Sequence, residues 1–297
     1  MSIAIGIDLG GTRIKAVAVN AAGTVLHENY QPTNDGDDAV WKTAVAMAVN
    51  ELQNRLKMQK LSIGLSAPGL PNEENTAIAF MPGRMQGLEN FKWGSFLCQP
   101  AYVLNDAVAA MMGEAKFGAA KNKKNVVMLT LGTGVGGAIL IDGKPYQGAF
   151  SKAGHIGHMA INDGGDPDVT GMPGSLEECI GNCTIEKRSR GKFTSTHALL
   201  DAFRVGDNFA KEVWLKSVRH LAIGLASVSN ILSPEVIVLG GGITQAGDDL
   251  FQPLGEFMDQ YEWQPGGNKT TIVKAAYGDM AGAIGAACFA MSKEIND

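Results

Sequence analysis

The residues best suited to chemistry begin with Asp8, Gly10, Gly11 and Thr12, set between apolar runs at 5–7 and 14–19. A glycine pair between two strand-like runs, with no helix signal after it, predicts a tight β-hairpin. Residues without side chains let backbone N–H groups come close to a phosphate, and the Thr12 hydroxyl adds a donor. Asp8, at the end of the first run, is a carboxylate of the kind that holds Mg²⁺ through water. The same grammar returns at Gly132, Thr133, Gly134 and Gly136, between runs at 125–131 and 138–141. A third cluster, Gly240, Gly241 and Gly242, ends the run at 236–239. It permits the close backbone approach that a flat adenine or ribose needs, or it is simply a tight strand-to-helix turn. Asn105 and Asp106 precede a helical stretch at 107–117. Position alone favours Asp106 as that helix's N-cap; a general base is the other reading.

The elements that must carry these residues follow from periodicity. Residues 37–57 predict a helix with Trp41, Val45, Ala48, Leu52 and Leu56 on one face, all core positions without chemistry. A buried strand at 61–67 ends at Pro68-Gly69, and the region 72–99 reads as irregular loops with a turn at Pro82-Gly83. A strand at 102–104 leads into Asn105. A long amphipathic helix spans 207–232 and precedes the third glycine cluster, and a last helix begins at Asp279. The glycines at 132–137 superficially suggest a dinucleotide fingerprint, but that motif needs a helix directly after it, and a strand follows here. Two strand–glycine–strand units half a chain apart instead suggest an internal duplication.

Composition narrows the setting. A chain of 297 residues is long enough for two lobes, and a net charge of −5 gives no electrostatic support to a nucleic-acid or anionic-membrane surface. The opening residues lack a signal-peptide pattern, no apolar run reaches the roughly 20 residues of a membrane span, and four cysteines make no disulfide framework. The expected location is the cytoplasm.

Taken in order, Asp8 to Thr12 with Lys15, Asn105-Asp106, the 131–137 glycine stretch, Gly157-His158 and Gly240 to Gly242 resemble the ROK family, named for repressor, open reading frame and kinase. The resemblance covers essentially the whole chain. It implies an α/β, actin/hexokinase-like (ribonuclease H-like) duplicated fold, two lobes around a cleft where ATP and a sugar meet. The expected division is a small lobe, 1–117 joined by the terminal helix at 280–297, and a large lobe, 118–279. ROK repressors add an amino-terminal DNA-binding domain, for which a hairpin within the first ten residues leaves no room.

The implied activity is ATP- and Mg²⁺-dependent transfer of the γ-phosphate to a hydroxyl of a hexose or hexose derivative, the 6-hydroxyl by expectation. Gly10, Gly11, Thr12, Lys15, Gly132, Thr133, Gly134 and Gly136 would hold the phosphates, Gly240 to Gly242 the adenosine, and Asp8 would orient Mg²⁺. Asp106 would be the general base. Gly69, Asn105, His155, His158 and Glu177 would contact the sugar. The implied partners are the small-molecule sugar and a second copy of the chain in a homodimer, with neither nucleic acid nor membrane. A catalytically silent sugar-binding sensor of the same fold is the alternative, and polyphosphate is a variant donor.

Two departures from the family pattern stand out. His155 occupies the place of the family's sugar-contacting glutamate, and Asp168, Thr170 and Ser175 occupy the places of three zinc-binding cysteines. A family-type zinc site is therefore not expected. A rival set, His155, His158, Cys179 and Cys183, has ligand chemistry if the two cysteines share a helical face, against the plainer reading of two buried free thiols. Asp163, Asp166 and Asp168 lack the order of a calcium loop and read as a solvated loop.

Overall fold

The computed structural model describes residues 2–34, 36, 38–81 and 85–294. The expected Pro82-Gly83 turn, Asp37 and the end of the terminal helix at 295–297 lie outside these residues. Contacts group the chain into two compact units, Met1–Lys124 with Ile139–Ala153 and Ala275–Asp297, and Asn125–Ala138 with Gly154–Lys274.

The first sheet is built from β1 (Ile3–Leu9), β2 (Arg13–Asn20), β3 (Val25–Pro32), β4 (Ser62–Ala67) and, after a small ribbon of β5 (Leu70–Pro71) and β6 (Ile78–Phe80), β7 (Ala101–Asn105). Its order is β3-β2-β1-β4-β7. β1 and β2 are antiparallel with Asp8 opposite Lys15, while β4 runs parallel to β1 with Ser66 opposite Asp8. Thus the sheet register sets both neighbours of the first candidate carboxylate. One face is covered by α1 (Asp38–Leu56), whose Trp41, Val45, Ala48 and Leu52 are buried among Ile5, Ile7 and Ile63. The region read as wholly irregular also holds α2 (Trp93–Leu97), with Trp93 fully buried. α3 (Asp106–Phe117) follows β7 directly.

The second sheet repeats the plan. β8 (Val126–Leu131), β9 (Val135–Ile141), β10 (Lys144–Pro145), β11 (Val236–Gly240) and β12 (Ile272–Lys274) lie in the order β10-β9-β8-β11-β12. β9 and β10 are antiparallel; β8, β11 and β12 run parallel. Both sheets therefore follow the order 3-2-1-4-5 with the glycine turn between their first two strands, the duplication that the repeated grammar predicts.

Between β10 and β11 come α4 (Leu176–Ile180), α5 (Ile185–Arg188), α6 (Thr196–Arg204) and α7 (Asn208–Leu232). Asp207 caps α7 by accepting from the Ala210 N–H, and its apolar stripe of Val218, Leu221, Leu225 and Val228 enters the core with Leu129 and Leu239. α8 (Asp248–Tyr261) and α9 (Ala281–Glu294) complete the chain. α9 lies on β1 and β4 so closely that a Cβ at Gly6 would sit 1.8 Å from the Ala283 carbonyl oxygen, and one at Gly64 equally close to that of Ala286. Small residues on both sides make that approach possible. Among the described residues no helix is long and apolar enough to cross a membrane.

Candidate active site

In the first unit, Asp8 is the best-supported group. Ser66 Oγ donates to its Oδ1 at 2.7 Å and Lys15 Nζ stands 3.6 Å from its Oδ2, with the Asp8 side chain 18% exposed. Burial pushes its carboxyl pKa above the ordinary value, against the opposing pull of the Ser66 hydrogen bond and Lys15. Lys15 also donates to the Asp279 carbonyl at 2.6 Å and pairs with its carboxylate, while Arg13 reaches that carboxylate at 3.1 Å. The glycine turn is anchored from the side by buried Thr33, whose hydroxyl donates to the Gly10 carbonyl at 2.6 Å; the Thr33 N–H donates to the Thr12 carbonyl.

Asn105, not Asp106, is the N-cap of α3. Its Oδ1 accepts from the Ala107 and Val108 N–H groups, and its Nδ2 donates to the Gly69 carbonyl at 3.1 Å. The reason is backbone geometry: Asn105 still has the extended conformation of β7, whereas Asp106 is already the first helical residue. Asp106 is exposed, and its Oδ1 accepts from the Ala107 N–H at 2.8 Å. Gly69 and Asn105 are thus brought together, with Asp106 next in the chain.

In the second unit the glycine turn is held from below. Glu177 Oε2 accepts from the Val135 N–H at 2.8 Å, and a Cβ at Gly134 would sit 2.2 Å from that same oxygen. The N–H groups of Asn182 and Cys183 donate to the carbonyls of Gly132 and Thr133 at 2.9 and 2.8 Å. Gly136 lies within β9. Gly240 ends β11, and exposed Gly241 has φ +87 and no room for a side chain, since a Cβ would meet the Leu131 carbonyl at 2.4 Å. A short 3₁₀ turn, Gly242–Ala246, follows. The third glycine cluster and the base of the second hairpin are therefore neighbours.

His155 precedes a 3₁₀ turn, Ile156–His158, that His158 ends, and their rings are near-parallel 6.4 Å apart. His158 Nδ1 lies 2.7 Å from Asp168 Oδ2. Asp168 corrects the solvated-loop reading: it is buried, while Asp163 and Asp166 are exposed as expected. Its other oxygen accepts from the Thr170 N–H, the Thr170 hydroxyl and the Met172 N–H at 2.8, 2.7 and 3.1 Å. Ser175 caps α4 by accepting from the Glu178 N–H. The two-buried-thiols reading also needs correction, because only Cys179 is buried and Cys183 is exposed. α4 stops at Ile180 with Gly181 as its cap, so the two cysteines share no helical face. Among the described residues, no three His, Cys, Asp or Glu side chains are grouped to hold a metal ion.

Sequence reasoning passed over Ser66, Thr33, Asp279 and the role of Asp168. Ser66 could have been found only by placing β4 beside β1, which sets it opposite Asp8. Taken by itself, the first unit offers a glycine turn, a partly buried carboxylate and an exposed carboxylate at a helix start; the second offers a glycine turn and a histidine held by a buried acid.

Comparison with known proteins gives the chain its family. The chain is 32% identical to a glucokinase of Halalkalibacterium halodurans, over 95% of this chain and 92% of that protein. A ROK hexokinase structure from Thermus thermophilus superposes with a TM-score of 0.88 at 28% identity, covering 99% of this chain and all of that one. A ROK family glucokinase from Streptomyces griseus, solved with glucose and AMPPNP, gives 0.80 at 25% identity over 98% of this chain and all of its own. The family model described as "ROK family" matches residues 4–293, and the chain belongs to that family, with its actin/hexokinase-like fold.

Proposed function

We propose that this ROK-family carbohydrate kinase transfers the γ-phosphate of ATP to the 6-hydroxyl of a hexose or hexose derivative, with Asp106 as general base. The observation that carries the reading is the division of labour at the start of α3. Asn105 supplies the cap that starts α3, and the Asp106 carboxylate beside it is exposed. A carboxylate placed to accept the attacking hydroxyl's proton contributes about 10²–10⁴-fold. Phosphoryl transfer otherwise asks for positioning and charge neutralisation. Gly10, Gly11 and Thr12, with Thr133, Gly134 and Gly136, would give N–H and hydroxyl donors to the phosphates, and Gly132, whose N–H donates to the Gly134 carbonyl at 3.0 Å, would shape the second turn. Lys15 would add a cation, and Gly240 to Gly242 a bare edge for the adenosine. Asp8 suits Mg²⁺ held through water: one oxygen is already bonded to Ser66 and the side chain keeps limited exposure. When bound, Mg²⁺ would neutralise the β- and γ-phosphates. Gly69, Asn105, His155, His158 and Glu177 would hold the sugar. A homodimer in the cytoplasm belongs to the same proposal.

A coupled assay of ADP release tests the core. Turnover should depend on sugar and fall by at least about 10²-fold in Asp106→Ala, while calorimetry still detects sugar binding. Sugar binding without turnover in the unaltered chain would instead identify a sensor.

His155 points to an altered sugar preference. A carboxylate accepts two hydroxyl hydrogen bonds, whereas a neutral imidazole offers one donor and one acceptor. An unpaired buried hydroxyl costs about 1–3 kcal/mol, enough to re-rank substrates. The favoured sugar should differ from glucose near C1 or C2, and His155→Glu should move preference toward glucose. A panel of hexoses and N-acetylhexosamines with glucose best for both forms would reject this.

A further inference from the structure

The 158–176 segment is the place where this chain departs furthest from the zinc-binding pattern that the family resemblance implies. The groups at the three cysteine places do not fit that metal. The Thr170 hydroxyl donates to Asp168, Ser175 Oγ accepts from the Glu178 N–H at the cap of α4 while its own proton goes to Asp168, and Asp168 also receives Met172 and His158. There is no thiolate among them, and hydroxyls engaged in this way are poor zinc ligands. What stands in the middle of the segment is a carboxylate whose side chain is fully buried, beside a His158 ring that is 27% exposed.

We propose that Asp168 does here the work of a structural metal: it gathers the segment around one carboxylate and fixes the His158 ring with its proton on Nδ1, which leaves Nε2 as the nitrogen that can meet a ligand. The two oxygens divide the task. Oδ1 takes two backbone N–H groups and one hydroxyl, which closes the loop from Asp168 to Met172. Oδ2 takes the histidine at 2.7 Å. Burial alone would raise this carboxyl's pKa, but the hydrogen bonds from Thr170, His158 and Ser175 together hold it well below the usual range. An ionised carboxylate has no proton to give, so Nδ1 must carry one, and whenever the ring carries a single proton Nε2 is an acceptor. Asp168 is a positioning residue, acting on sugar only through His158. That last step rests on His158 being a sugar contact; the ring orientation does not.

Asp168→Asn makes a sharp test because it preserves shape. Three donors converge on Oδ1, so the amide oxygen is held there and its NH₂ faces His158. The ring must then surrender its Nδ1 proton and carry it on Nε2. Long-range ¹H–¹⁵N spectra of the full chain, with His158→Gln to assign the signal among five histidines, should show Nδ1 protonated in the unaltered protein and Nε2–H in Asp168→Asn. Sugar KM should rise at least about tenfold with ATP KM unchanged. Dialysis against a chelator should leave the protein free of zinc, with unchanged resistance to proteolysis at 162–174. The proposal is overturned if the Asp168→Asn ring keeps its proton on Nδ1, or if the chain carries one zinc whose removal opens that loop. A tautomer that inverts while sugar KM stays fixed upholds the positioning role and rejects the sugar contact. An unaltered chain with no kinase turnover but the expected spectra rejects the kinase reading alone.

Discussion

The two glycine hairpins share a sheet order and a grammar yet are supported in opposite ways. In the first, the strand itself carries the acid. Asp8 lies two residues before Gly10, beside Ser66, while Thr33 and Asp279 brace the turn and Lys15. In the second, the matching position two residues before Gly132 is Thr130, and the carboxylate arrives from outside as Glu177 on α4. Duplication kept the backbone that presents N–H groups and let the charge diverge. Under the proposed reading, anion binding at such a turn resides in the main chain, which both halves retain. A carboxylate beside it is a separate addition, and its source tells what the hairpin is joined to. Asp8 joins the first hairpin to its own sheet; Glu177 joins the second to the segment that carries His158.

The largest expected effect breaks the symmetry directly. Asp8→Asn should lower kcat/KM on the order of 10²–10³-fold, the usual scale for losing a group that organises charge at the reacting phosphate. Thr130→Val, at the matching position, should change it less than about threefold. Equal losses from the two, measured by steady-state ADP release, would mean the hairpins are functionally equivalent and the comparison fails.

The next contrast concerns the braces. Glu177→Ala strands the buried Val135 N–H and should cost about 1–3 kcal/mol of stability, whereas Thr33→Val loses one neutral hydrogen bond, about 0.5–1.5 kcal/mol. Glu177→Ala should also raise KM for both substrates, since Glu177 is tied to the hairpin and lies in the proposed sugar set. Thr33→Val should raise it for ATP alone. Denaturant titration with paired KM measurements checks both; a Glu177→Ala variant that changes only ATP KM would cut the link between hairpin and sugar.

Much of this architecture is written in local patterns. The stripe from Trp41 to Leu52, the helical spacing at 207–232 and the glycines between alternating apolar runs each report a nearest-neighbour preference, and each formed the element it implies. The site was less legible where adjacent residues compete or a loop closes on itself. Asn105 and Asp106 are both good caps, and only the backbone leaving β7 selects between them. Asp168 sits among aspartates and glycines, a composition that suggests solvent, and its burial depends on donors brought to it by the folded loop. Cys183 reads as buried only for a helix that continues past Gly181, and α4 stops there. Hydrogen bonds between side chains and distant backbone leave no periodic trace, so no spacing rule could have announced them.

The smallest effect is also the one that separates the hairpins by physics alone. Burial raises the Asp8 pKa above its ordinary 3.8, with Ser66 and Lys15 offsetting part of that. A carboxyl whose folded pKa exceeds its unfolded value contributes stability that is fully present below the unfolded value and lost as pH rises through the folded one. At neutral pH, then, the ligand-free fold carries the cost of an ionised buried group. Asp8→Asn removes that cost while its amide oxygen still accepts from Ser66, and Lys15 keeps Asp279. The variant should unfold at a higher temperature than the unaltered chain at pH 7, a stability gain on the order of 1 kcal/mol. The gap should close as pH falls toward 3.8. Thr130→Val should show a pH-independent difference, because no titrating group is exchanged. Thermal melts from pH 4 to 8 without nucleotide decide it: a constant gap for Asp8→Asn would mean the first hairpin's carboxylate is as well solvated as a surface group, and the distinction from the second would rest on catalysis alone.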